Sequence, residues 1–371
     1  MQLLPQTFSA MGPALKGCLS AGIADPVPVV DDASWERESA TILASRLEGV
    51  ALQAMGGEQH GSAYGVLADF RSASLRDATS SLSIESNARQ PLLELQQHDI
   101  PFLIIKGPAV ARFYAQPDTR FFSDIDILVP PERYAETVQL LAARGFHRRE
   151  GHIQPWPWYE LVCVEGANVY DDHGGNLDVH HHLSPWAFSK KLRAEDLIER
   201  SDPGTLAGLH VRFASAGDCL AVACLHVLND LWKEDPSYQT WRDICTMITV
   251  LGPAATHEAL ARSGLTWFEP IARAALAAVV STGPPVGARW KRSLVLKHWR
   301  MKSLGWDGTT VLARHPAGWL FRLPLWRALA FIAGGVVPSP EYVHARHHGY
   351  LSYWRDSLHS MGEAARGTDV R

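Results

Sequence analysis

The chain has no CxxC pair, no internal repeat, no low-complexity tract and no large surplus of either charge. Each absence removes a class of function. Its five cysteines (Cys18, Cys163, Cys219, Cys224, Cys245) are odd in number and lack paired spacing. That argues against a disulfide framework and a zinc site, and fits free thiols in a reducing cytoplasm. The first residues, MQLLPQTFSAMGPALKG, lack a basic start followed by a long apolar core, so no signal peptide is expected. The most apolar late segment, ALAFIAGGVVP at 328–338, is too short to span a bilayer, and no membrane partner is expected. With 35 basic and 39 acidic residues, the net charge is −4. This argues against a surface built for bulk nucleic acid and leaves room for a local basic groove.

What is present is ordinary soluble composition, 46% hydrophobic and 20% charged over 371 residues, enough for two or three domains. Four segments are expected. Residues 1–33 lack periodicity and read as a flexible N-terminal segment. Residues 34–99 carry helical apolar spacing over 33–55, 63–71 and 78–98, with Pro101 as the stop. Residues 100–188 change pattern: PFLIIKG reads as a strand, GPAVARFYAQ as a short helix and FFSDIDILV as a second strand. PPERYAETVQLLAARG is a helix with prolines at its start and Gly145 at its end. YELVCVEG, ANVYDD and NLDVHHHL are further strands, the last two joined by a DDHGGN hairpin turn. Residues 189–371 read as a helical domain, in which RWKRSLVLKHWRMK at 289–302 is taken as a solvated helix face.

The anomaly lies in FFSDIDILVP, residues 121–130. An apolar strand should exclude Asp124 and Asp126, since an unpaired buried carboxylate is costly. Strand residues two apart point to one face, so both carboxylates project together and need a cation between them. Mg²⁺ suits, because it takes oxygen ligands and keeps positions open for phosphates. Asp178, flanked by apolar residues in NLDVHHHL, supplies a third carboxylate if its strand lies alongside. Three acids can hold two metals for an in-line displacement. Upstream, Lys106-Gly107 joins a strand to a helix, where a phosphate can approach the backbone and Lys106 adds a point charge. Arg120 and Ser123 are further phosphate partners, each equally readable as structural. His180 shares a face with Asp178 and is read as a neighbour of the metal or of the acceptor; dedicated zinc ligation by the His180–His182 run is a weak signal. His226 and Asp243, on amphipathic segments, are candidates for the acceptor side or for a polar pair fixing helix packing.

Together, K-G-x-A, R-x-x-S-D-I-D-I-L-V, a helix ending in G-F and then L-D-V-H resemble the nucleotidyltransferase superfamily. Within it the pattern is similar to the bacterial uncharacterised nucleotidyltransferases and akin to toxin-type nucleotidyltransferases of abortive-infection systems. The resemblance implies an α+β fold: a nucleotidyltransferase-like mixed sheet with flanking helices, N-terminal helices and an all-α C-terminal domain. It implies that Asp124, Asp126 and Asp178 carry catalysis and two Mg²⁺ ions, and that Lys106, Gly107, Arg120 and Ser123 bind a nucleoside triphosphate. The expected reaction moves an NMP group from an NTP to an acceptor, a small molecule or peptide ahead of a protein, with tRNA left open, and releases pyrophosphate. The alternatives are a degenerate member that binds nucleotide or a partner without turnover, and a toxin-like enzyme acting on tRNA. One departure stands out. The superfamily turn is usually Gly-Ser, whereas Pro108 follows Lys106-Gly107 here and removes a backbone donor.

Overall fold

The computed structural model describes residues 11–24, 29–56, 64–148, 158, 165–172, 174–183, 189, 191–230, 237–280 and 325–366. They group into two compact units, one of residues 1–147 and 168–289, the other of 148–167 and 290–371. Four helices open the first unit: α1 (Pro13–Ser20), α2 (Asp32–Ala44), α3 (Glu48–Met55) and α4 (Tyr64–Gln97). Helix α1 falls inside the segment expected to be flexible. It is held by burial of Leu15, Cys18 and Leu19, which a short run of mixed residues does not advertise. Asp31 caps α2 by accepting from the Ser34 N–H at 2.8 Å, and Trp35 of α2 packs edge-on against Phe70 of α4. Where two helices were expected at 63–98, α4 runs unbroken through the Ser-rich stretch between them.

The described strands form one mixed seven-stranded sheet, as the α+β reading requires. They are β1 (Leu103–Ile104), β2 (Ile125–Leu128), β3 (His147–Arg148), β4 (Gly166–Tyr170), β5 (Asn176–His180), β6 (Asp202–Leu206) and β7 (Leu209–Phe213), in the order β3-β4-β5-β2-β1-β7-β6. Between them lie α5 (Pro108–Ala111), α6 (Pro131–Ala143) and α7 (Ala194–Glu199). Strand β2 is antiparallel to β1 and parallel to β5. Ile104, Ile125, Ile127, Leu128, Leu177 and Val179 are fully buried there, so the sheet centre is apolar apart from its acids. The DDHGGN turn closes β4 onto β5, with the Asp171 N–H bonded to the Gly175 carbonyl at 3.0 Å.

The hairpin β6–β7 corrects the expectation that the chain is all-helical from 189 onward. Residues 202–213 extend the sheet instead, with β6 at its edge, and β7 buries alternate residues as a strand covered on one face should. Helices α8 (Ala216–Asp230), α9 (Tyr238–Ser263) and α10 (Glu269–Val280) follow and pack on one another. By length and composition α9 could cross a membrane. Here Trp241, Ile244, Cys245, Met247 and Ile248 are buried within the unit, and Gly252, with non-helical backbone before Pro253, kinks the helix. Its buried Arg242 donates to the carbonyls of Leu19 and Ala21 at the end of α1, which ties the N-terminal helices to α9. Cys18, Cys219, Cys224 and Cys245 are free, buried thiols.

In the second unit α11 (Leu325–Val336), α12 (Pro340–Arg346) and α13 (Tyr350–Arg366) surround Tyr353, whose hydroxyl donates to the Gly335 carbonyl at 2.6 Å. The expected strand YELVCVEG, apart from its last two residues, and the basic run 289–302 lie outside the described residues, as does Cys163.

Candidate active site

The site grows from the pairing of β2 with β5. Their parallel register sets Asp126 directly beside Asp178, and Leu128 beside His180. His180 lies one full pleat beyond Asp178 on the same face, and its Nε2 reaches both acids, 3.1 Å from Asp126 Oδ1 and 3.2 Å from Asp178 Oδ2. From the end of β1, Lys106 reaches across and donates to Asp126 Oδ1 at 2.8 Å. Gly107 turns the chain into α5 with φ of +52°, and a Cβ there would press on the Asp124 carbonyl and the Phe122 ring at 3.4 Å. Glycine is therefore favoured there by conformation, and an added Cβ would only touch the acidic segment. Pro108 occupies the first position of α5, where a helix leaves its N–H unbonded in any case.

The electrostatics follow from this crowding. Burial, reinforced by Asp126 and Asp178 and opposed by Lys106 and His180, pushes the Asp124 carboxyl up to about 6. Burial also opposes ionisation of Asp126, but Lys106 and His180 outweigh it and hold the carboxyl below its usual range. Asp178 is lowered in the same way, with His180 overcoming the cost of burial. The His180 imidazole resists burial too, yet Asp178 and Asp126 pull it up to about 10. Two internal cations thus answer the acids that the strand pattern makes anomalous.

Asp126, Asp178 and His180 present ligand atoms that all lie within 4.8 Å of one another, a group able to hold a metal ion. Two carboxylates and an imidazole suit a divalent cation once the imidazole gives up its proton. Asp124 stands outside this close group but lines the same cleft.

That cleft measures about 830 Å³. Its lining includes Lys106, Gly107, Asp124, Asp126 and Asp178, together with His226 of α8 and residues 237–240 at the start of α9. The end of α2 forms a further side, from Ala40 to Arg46. No candidate was placed on these early helices from the sequence, because helix ends that reach a site 60 residues later leave no local pattern.

The remaining candidates fall in different places. Ser123 lines the cleft and is held through its carbonyl, which accepts from Asn176 Nδ2 at 3.0 Å. Arg120 also lines the cleft, and its guanidinium makes two bonds to Asp243, at 2.8 and 3.2 Å, and one to the Phe121 carbonyl at 2.9 Å. Asp243 is buried and also accepts from the Tyr114 hydroxyl at 2.6 Å. His226 and Asp243, grouped together as candidates, are thus set apart: one borders the cleft and the other is an internal partner of Arg120. Of the histidine run, His180 turns to the acids, whereas His181 packs on the Tyr134 ring of α6 with centroids 4.4 Å apart.

No curated protein and no solved structure gives a significant match to this chain. The family model described as uncharacterised nucleotidyltransferase matches residues 31–274, spanning α2 to α4, the acid-bearing sheet, α8, α9 and the first half of α10. The chain belongs to that nucleotidyltransferase family.

Proposed function

We propose that the protein transfers a nucleoside monophosphate from an NTP to an acceptor, with Mg²⁺, and releases pyrophosphate. The observation that carries this reading is the register of β2 and β5, which puts Asp126 and Asp178 side by side on the wall that also bears Asp124. Bound there, Mg²⁺ would neutralise phosphate charge and help align the attacking and leaving oxygens. The chain's own residues supply positioning. Asp124, Asp126 and Asp178 would hold the metals, and the Lys106-Gly107 turn and Ser123 would lie along the triphosphate. Asp178 would bridge the second metal or take the proton of an acceptor hydroxyl. His226 and the first residues of α9 line the same cleft, and we assign them to the acceptor. Its volume is near the top of the range for ligand clefts, in keeping with two substrates; a small molecule or a peptide suits it better than a duplex.

The test is label transfer from each of the four NTPs, with Mg²⁺, alongside pyrophosphate release. Wild type should turn over at least one NTP, and Asp126→Asn should not. A second reading is favoured by one observation. Lys106 and His180 already compensate the acids internally, as they would in a member that binds nucleotide without turnover. NTP binding that survives Asp124→Asn with Asp126→Asn, with no label from any NTP in wild type, would select that reading over the first.

A further inference from the structure

Ser45, Arg46 and Leu47 join α2 to α3 in a tight closure. The Leu47 N–H donates to the Ile42 carbonyl and the Arg46 N–H to the Leu43 carbonyl, both at 3.1 Å, the pattern of a Schellman motif. Arg46 occupies the left-handed position of that motif, with φ of +54°. Glycine is the usual residue there, because a Cβ is disfavoured in this conformation. An arginine kept in such a place points to a role for its side chain.

The side chain lies at the cleft. Nη1 bonds Asp77 Oδ1 of α4 at 2.7 Å, and the guanidinium carbon sits 4.8 Å from the centroid of the Phe121 ring. These contacts fix the planar group while half of the side chain stays exposed, and Arg46 lines the cleft with Phe121. Among the described residues Nε and Nη2 have no partner. The other cations on the lining are engaged: Lys106 with Asp126 and Arg120 with Asp243. Transfer from a triphosphate needs cationic donors for the phosphates beyond the metal itself, and a guanidinium fork with two open donors matches phosphate oxygens.

We propose that Arg46, posed by Asp77 and Phe121, binds the phosphate tail of the NTP. This rests on the nucleotidyltransferase reading and adds a phosphate ligand from the N-terminal helices, outside the acid-bearing sheet.

The experiment measures Mg²⁺-dependent binding of the NTPs, and competition by inorganic tripolyphosphate, for wild type, Arg46→Gly and Arg46→Lys. Glycine relieves the left-handed backbone, so this variant is chosen to keep the fold. Arg46→Gly combined with Asp77→Asn removes the carboxylate left without its partner. The expected result is a loss of about ten- to a hundred-fold in affinity for both NTP and tripolyphosphate, equal in the single and double variants, with partial recovery in Arg46→Lys. Unchanged binding in Arg46→Gly overturns the proposal. So does a loss confined to the NTP while tripolyphosphate competes as before, and so does recovery of binding in the double variant. Tripolyphosphate that fails to compete in wild type overturns it as well. If wild type binds no NTP at all, the nucleotidyltransferase reading fails first and this inference falls with it.

Discussion

Asp126 and Asp178 stand as direct neighbours across the parallel strands β2 and β5, and both contact the one Nε2 of His180, at 3.1 and 3.2 Å. With Lys106 also on Asp126 Oδ1, the acids are balanced by the protein's own cations. The fold therefore does not need a metal to hold these strands together. A metal that enters must compete with those cations, so its effect is an addition to an already folded protein.

This makes metal dependence testable apart from turnover. Exhaustive chelation should leave the circular dichroism spectrum and the cooperative melt intact. Adding Mg²⁺ at about a hundred times its Kd should stabilise the protein by about 2.7 kcal/mol, the mass-action value for a ligand of the native state alone. Scanning calorimetry would show this as a rise of several degrees in Tm, absent in Asp126→Asn and Asp178→Asn. A wild-type Tm that is unmoved by both Mg²⁺ and Mn²⁺ would sink the metal assignment.

The Arg120–Asp243 pair should behave as architecture. Both side chains are buried, Tyr114 donates to the same carboxylate, and burial followed by Asp243 drives the Tyr114 hydroxyl well above its usual range. Asp243→Ala would leave a guanidinium and a phenol without their acceptor, at a cost of about 3–5 kcal/mol. Urea unfolding measures it. The neighbouring Arg242 binds the end of α1 and lies over the Tyr114 ring, 5.3 Å from its centroid, so a double-mutant cycle should show it coupled to Asp243. If Asp243→Ala keeps its stability but loses substrate affinity, the pair belongs to substrate binding after all.

Gly49 of α3 meets the short 3₁₀ turn Pro117–Thr119 so closely that an added Cβ would lie 2.9 Å from Thr119 Cα. The obstacle is backbone, which cannot rotate away. Gly49→Ala should therefore destabilise by about 1–3 kcal/mol through overpacking, despite alanine's better helix propensity. It should also impair nucleotide binding, because the turn leads directly into Arg120 and the acidic segment. A variant with raised Tm would show that this contact yields freely.

The acids were legible because apolar strands exclude charge, so Asp124, Asp126 and Asp178 announced themselves by being out of place. Which of them meet was not legible. The Asp126–Asp178 pairing depends on β5 lying parallel to β2, a choice made by the whole sheet. The β6–β7 hairpin escaped notice since Pro203 and Gly204 are poor strand formers, and only its neighbour β7 alternates cleanly. Arg120 and Asp243 are 123 residues apart, and each side chain alone reads equally well as a phosphate or acceptor contact. Arg46 was invisible for a different reason: its left-handed backbone comes from the α2–α3 closure, and arginine in that position carries no signature in one sequence.

The last prediction concerns pH. The Glu48 carboxyl, buried at the start of α3, faces Asp77 of α4, and among the described residues Glu48 Oε2 and Asp77 Oδ2 have no hydrogen-bond partner. Burial, with Asp77 adding to it and Arg46 opposing, pushes Glu48 from its ordinary 4.5 up to about 8. Between those values the native protein holds a proton that the unfolded chain releases, so stability falls as pH rises. The contribution is complete below about pH 4.5, declines toward pH 8 and is flat beyond it. Glu48→Gln cannot ionise, and its amide can donate to the open oxygen of Asp77. Other groups titrate in the same range, so the informative quantity is the difference between wild type and variant. Denaturant unfolding at several pH values from 5 to 8.5 should show the variant gaining steadily on wild type until about pH 8. Parallel stability curves would mean that Glu48 is ionised in the native state throughout.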